Sequence, residues 1–228
     1  FKDRPIVVGD ILPSDLVGLR WVVTAVMVVA VLPLMSLRIY ATFGVAFFAM
    51  WLSYKWFFWP AIQKNVALAF VTHNPLTLLI GLFVASIATV YARCDLTAWA
   101  TWAWLVGLWF PVAAWELSRK IRIPEDETDY DTYSSRLGWK VACLLPGGFV
   151  GISTGCVIAV LLVAGTPDWL AVLVALSGTI VCAAGLWFRV RPSSQLSHLL
   201  RPLVEGYAGM TTLVVPAVFV YQFGVSWP

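Results

Sequence analysis

Charge is what this chain has least of: Asp, Glu, Lys and Arg make up 12% of its residues and hydrophobic residues 61%. A soluble domain carries about twice that charge, so with a mean hydropathy of +0.85 the composition excludes a water-soluble fold and implies an integral membrane protein. Cysteine is also sparse. Cys94, Cys143, Cys156 and Cys182 show no C-x-x-C spacing and three of them fall in apolar runs, so neither disulfides nor a cysteine metal site is expected. The opening FKDRPIVVGD lacks the apolar core and small-residue cleavage site of a signal peptide. No glycine-rich phosphate loop, zinc spacing or serine nucleophile motif occurs, and nothing points to nucleic-acid binding.

What is present is a series of apolar runs. They cover residues 16–37, 41–59, 75–92, 98–115, 140–164, 169–188 and 204–227, each long enough to cross a hydrocarbon core of about 30 Å. None alternates with the period of a barrel strand, so the expected fold is all-α, a polytopic bundle of seven transmembrane helices in one domain. Within the spans, the spacings Gly147 to Gly151 and Gly151 to Gly155 read as close helix contact, and Pro33, Pro111, Pro146 and Pro216 as points of kinking. Most of the thirteen tryptophans sit at span ends, as an interfacial belt does.

The basic residues give an orientation. With the N-terminus inside, one face receives Lys2, Arg4, Arg20, Lys55, Lys64, Arg119, Lys120, Arg122, Arg136, Lys140, Arg189, Arg191 and Arg201, and the other only Arg38 and Arg93. The positive-inside rule then places residues 116–138 in the cytoplasm and the C-terminus outside, the expected location being a bacterial cytoplasmic membrane.

Residues 116–138, ELSRKIRIPEDETDYDTYSSRLG, form the only long polar segment between spans. They hold six of the twelve acidic residues (Glu116, Glu125, Asp126, Glu127, Asp129 and Asp131) with Arg119, Lys120, Arg122 and Arg136. Glu116 ends a span, and positions i+3 and i+4 put Arg119 and Lys120 on its face. Pro124 stops the helix, and Pro-Glu-Asp-Glu reads as a cap and turn. Clustered carboxylates are hard ligands suited to Mg²⁺ with substrate phosphates, and the neighbouring cations suit phosphate oxygens. Such a site would take a diphosphate whose apolar tail lies among the helices. The alternative from charge pattern alone is a solvated surface loop that sets topology.

The pattern E-x-x-R-K-x-R-x-P-E-D-E followed by D-T-Y-S and L-G, Glu116 through Gly138, resembles the second polar motif of a bacterial branch of the UbiA-type intramembrane prenyltransferases. Lys2-Asp3-Arg4-Pro5-Ile6-Val7-Val8-Gly9 is similar to the basic element after that family's first aspartate motif. The resemblance covers essentially the whole chain and implies that the seven spans correspond to helices three to nine of a nine-helix fold. It implies Mg²⁺-assisted transfer of an isoprenyl group from an isoprenyl diphosphate to a small acceptor in quinone, pigment or lipid synthesis. It also implies roles. Glu116, Glu125, Asp126 and Glu127 would meet the metal; Arg119 and Lys120, which stand where many members have Asp, would contact the diphosphate with Lys2, Arg4, Lys55, Lys64 and Arg122. The first aspartate motif is not in the sequence, and the second has Glu for its first Asp. A different class therefore stands beside the enzyme: a non-catalytic membrane subunit of the same fold that binds lipid, quinone or pigment, or packs in a larger complex.

Other polar residues have plainer readings. Lys55 is as well placed to snorkel as to line a site mouth. His73 is expected to be a hydrogen-bonded structural residue and Asn74, before Pro75, an N-cap. Arg189, Arg191 and Arg201 read as topology signals and contacts to anionic membrane lipids, and Glu205 as an ion-pair partner for one of them.

Overall fold

The computed structural model describes residues 8–9, 11–56, 59–91, 95–127 and 132–224. Lys2, Arg4, Arg93, Cys94, Asp129, Asp131 and the Lys55 side chain lie outside the described residues. The described chain is all-helical, without a strand among these residues. Its long helices are α1 (Pro13–Val31), α2 (Leu37–Trp56), α3 (Val66–Tyr91), α4 (Trp99–Ser118), α5 (Trp139–Val163), α6 (Asp168–Val190) and α7 (Ser194–Phe223).

Among the described residues, five segments are long and apolar enough to cross a membrane: Ser14–Leu34, Val66–Tyr91, Trp139–Val163, Asp168–Val190 and Ser194–Phe223. The expected count was seven. Leu37–Ser53 is apolar but shorter, and α4 has the length but carries five tryptophans, whose indoles belong to the interface as much as to the hydrocarbon.

Sequential helices run antiparallel, as their contacts show. Along α2 and α3, Arg38 bonds Thr89 and Thr42 bonds Ser86; along α3 and α4, Asn74 meets Trp109 and Gly81 meets Leu105. Along α5 and α6, a Cβ on Gly147 would stand 3.3 Å from Cys182 Cα, and one on Gly185 would stand 2.7 Å from the Cys143 carbonyl oxygen. Along α4 and α7, Trp115 bonds Glu205 while Trp104 packs on Phe219. The turns are compact. Gly165, at φ 65°, takes the left-handed conformation that lets the chain reverse between α5 and α6.

The core is α4 to α7. Val150, Val157, Leu161, Leu170, Val174, Val181 and Val204 are buried there, and a buried hydroxyl cluster stitches three helices. Ser153 donates to the Gly107 carbonyl (2.6 Å), lies 2.9 Å from the Tyr207 hydroxyl, and Thr154 Oγ1 donates to that hydroxyl at 3.1 Å.

Local expectations divide. Gly147 and Gly151 do pack against Cys182, but a Cβ on Gly155 would meet nothing within 4 Å, so the second glycine spacing is not a helix contact along its whole length. Pro111 lies inside α4, Pro33 in a 3₁₀ turn closing α1, and Pro216 just after a π-turn at Met210–Val214. Asn74 is not an N-cap. Its Oδ1 accepts from Trp109 Nε1 at 2.7 Å, and Asn65 caps α3 by accepting from Ala67 N and Leu68 N. His73 is the structural residue expected: Nδ1 lies 2.9 Å from the Ala69 carbonyl oxygen and Nε2 3.1 Å from that of Ser53.

Candidate functional site

The described parts of the polar segment, residues 116–127 and 132–138, are folded down onto the bundle. Helix α4 ends at Ser118, before Pro124, and residues 119–123 continue without helix. In Arg-Lys-Ile-Arg-Ile the isoleucines turn inward: Ile121 is buried and Ile123 half-buried. Pro124–Asp126 forms the expected tight turn. The chain returns at Thr132, which caps the short helix Tyr133–Leu137, and its hydroxyl donates to Glu127, 2.8 Å from each carboxylate oxygen.

Tyr133 fastens this return. Its backbone N–H donates to the Lys120 carbonyl (3.1 Å), its ring packs edge-on against Phe70, and it is 2% exposed. Arg122 N–H donates to the Ser134 hydroxyl at 2.8 Å, and Arg136 Nη2 donates to the Lys64 carbonyl at 3.0 Å. Leu117, Ile121, Tyr133, Ala142, Cys143, Phe188 and Leu200 form a buried cluster beneath it all. A solvated loop would have no such core.

Above that cluster the charges gather at the end of α4. Glu116 Oε1 is 2.8 Å from Lys120 Nζ, and Oε2 is 3.2 Å from Arg119 Nη1. The Arg119 guanidinium lies 4.6 Å from the Trp115 ring centre, and Lys120 Nζ 5.7 Å from the Tyr133 ring. Trp115 Nε1 donates to Glu205 Oε1 (2.8 Å), which also accepts from Arg201 Nε (2.8 Å). Glu116, Arg119 and Lys120 therefore do share one face, and Glu205 has the arginine partner expected of it. Side-chain exposure falls from 42% for Arg119 through 26% for Glu116 to 16% for Lys120, which puts the ammonium deepest.

The remaining expected site residues are spread more widely. Arg122 Nη1 donates to the Asp126 carbonyl at 3.4 Å, tying it to the acidic turn. Glu125 is exposed and Lys64 stands beside α3. Asp126 Oδ2 is buried with no hydrogen-bond partner. Sequence reasoning missed Trp115 and Tyr133, the two rings that hold the cations. The signal for Trp115 was present in its i, i+4 spacing to Arg119; Tyr133 had none, because its contacts are with residues far along the chain.

The chemistry of the donor set tests the implied Mg²⁺. Both Glu116 oxygens and both Glu127 oxygens are engaged within the protein, and among the described residues no three His, Cys, Asp or Glu side chains converge. The described residues do not form a resident metal cage; what they concentrate is positive charge held by aromatic rings.

An apolar cavity of about 630 Å³ opens between α3, α4, α5 and α7, lined in part by Gly81, Ala85, Trp104, Leu108, Val160 and Phe219. Leu108 is eight residues before Glu116, about 12 Å along the helix axis at 1.5 Å per residue.

No protein-family model, curated protein or solved structure matches this chain. The described residues form an all-helical fold with five helices long and apolar enough to cross a membrane, which fits an integral membrane protein.

Proposed function

We propose that the protein is a membrane prenyltransferase of the UbiA type, binding an isoprenyl diphosphate at the cytoplasmic end of α4. One observation carries the reading: a single helix presents aromatic-braced cations at its end and walls an apolar cavity that begins about three turns back along it. An amphiphilic substrate needs that pairing. Diphosphate oxygens would displace Glu116 from Arg119 and Lys120, exchanging an internal ion pair for charge-assisted contacts to the ligand. The chain's own part in transfer is then electrostatic. As the C–O bond of the allylic diphosphate breaks, negative charge grows on the departing group, and Arg119, Lys120 and Arg122 stand at that end to stabilise it. Mg²⁺ would accompany the diphosphate and add to this charge neutralisation; it needs only one or two protein carboxylates, and Glu125 and Asp126 are the ones that would hold it.

A second reading is favoured by the engaged carboxylates: a non-catalytic subunit of the same fold that binds a lipid, quinone or pigment. Binding of a non-hydrolysable isoprenyl thiodiphosphate, followed by release of diphosphate from the natural substrate and transfer to acceptors, separates the two. The enzyme binds the analogue and turns the substrate over. A subunit does neither.

A further inference from the structure

We propose that the surface formed by the start of α5 and the end of α6 docks anionic phospholipid headgroups. It carries Lys140, Arg189 and Arg191, all exposed. Lys140 Nζ lies 5.5 Å from the Trp139 ring centre and Arg191 Cζ 5.1 Å from that of Trp187. The two helix ends are joined by Trp139 packing edge-on against Phe188, ring centres 5.9 Å apart, and by the backbone approach of Gly185 to Cys143.

One comparison points to a ligand of opposite charge. At the end of α4 and the start of α7 the cations have carboxylate partners within the protein, Arg119 and Lys120 sharing Glu116 and Arg201 pairing with Glu205. None of the ion pairs among the described residues reaches Lys140, Arg189 or Arg191. The helix dipole is the simplest account of a cation at a helix end, and it fits Arg189 in the last turn of α6. It gives no account of Lys140, which lies in the four-residue helix Trp139–Ala142, too short for a dipole argument, and is in no ion pair among the described residues. An external anion would accept from all three cations.

The level of the surface selects the source of the anion. Both helices are long and apolar enough to span a membrane, so their ends lie at headgroup depth, where Trp139 and Trp187 also belong. A cation stacked on an indole keeps its hydrogen-bonding edge outward. The surface is independent of the diphosphate reading, since it shares no residue with it.

The test is native mass spectrometry of the full chain from detergent micelles, titrated with phosphatidylglycerol, phosphatidylcholine or inorganic phosphate. Phosphatidylglycerol is expected to bind more tightly than phosphatidylcholine, and inorganic phosphate at equal concentration not to displace it. The triple variant K140A/R189A/R191A is expected to weaken phosphatidylglycerol binding by about a hundredfold, at about fivefold per cation removed. Arg38→Ala, at the opposite end of the bundle, is expected to leave it unchanged. Because an unfolded triple variant would also lose lipid, Arg191→Gln alone is measured beside it, with about a fivefold loss expected. Equal binding of the two lipids, displacement by inorganic phosphate, or wild-type affinity in Arg191→Gln would each overturn the proposal.

Discussion

The spans Ser14–Leu34 and Val66–Tyr91 have 6% of their apolar window buried, whereas Trp139–Val163 and Asp168–Val190 have 28%. Their mean hydropathies, 2.1 and 1.7 against 2.0 and 2.2, do not explain the difference. Small residues do. A Cβ on Gly107 would stand 2.9 Å from Val157 Cγ2, one on Gly178 would collide with the Thr154 hydroxyl, and one on Gly185 would press on the Cys143 carbonyl; Gly18 in the first span faces open space, and Gly81 in Val66–Tyr91 meets only the end of the Leu105 side chain, at 3.1 Å. Lipid is as apolar as valine, so hydrophobicity alone gives one helix no reason to prefer another, and association depends on close backbone approach and shared hydrogen bonds. The half of the chain that has both carries the candidate site, and α1 to α3 lean on it through fewer contacts.

The largest test of that contrast is a pair of substitutions of the same kind. Gly185→Val places a methyl group against a backbone carbonyl that cannot rotate away and is expected to cost about 3 kcal/mol, while Gly18→Val is expected to change stability by less than about 0.5 kcal/mol. Unfolding midpoints in a dodecyl sulfate titration measure both, and equal losses would sink the explanation. Next in size is the hydroxyl cluster. Tyr207→Phe removes the contacts to Ser153 and Thr154 and is expected to cost about 1 kcal/mol, within the range measured for hydrogen bonds inside membrane bundles. Ser86→Ala removes one such contact, to Thr42 between α2 and α3, with about 0.6 kcal/mol expected; a larger loss there than at Tyr207 would reverse the ranking of the two halves.

The smallest effect is electrostatic and lies in the turn before α4. The Thr97 backbone N–H and hydroxyl both donate to Asp95, which holds its carboxyl below the ordinary aspartate range. A depressed folded pKa contributes stability that is present above the unfolded value and is lost as pH falls through the folded value. Melting temperatures of the wild type and Asp95→Asn should therefore differ slightly at neutral pH and converge in acid. Curves that stay parallel to the acid limit would show that the carboxylate contributes nothing.

Much of this was legible in the chain itself. Continuous apolar runs without period-two alternation gave the helices, and the i+3 and i+4 spacing from Glu116 gave the face it shares with Arg119 and Lys120. The rest depends on contacts between distant residues. Asn74 before Pro75 has the local look of a cap, yet a Trp109 indole 35 positions away takes its side chain. Polarity made 116–138 read as exposed, but Tyr133 and Ile121 bury it against Phe70 and Leu117, a pairing no local pattern announces. Residue type makes Glu116 and Glu127 expected metal ligands, and it does not show the partners the structure gives them, Arg119 and Lys120 at Glu116 and the Thr132 hydroxyl at Glu127.

The most direct test of the central claim is binding of an isoprenyl thiodiphosphate to the full chain, with and without Mg²⁺, in the wild type, Glu116→Ala and the double variant R119A/K120A. Loss of two charge-assisted contacts at about 1.5 kcal/mol or more each predicts affinity at least about a hundredfold weaker in the double variant. Glu116→Ala, which removes the carboxylate paired with both cations, should retain binding. Wild-type affinity in the double variant, or no binding by the wild type at all, would contradict a diphosphate site at the end of α4.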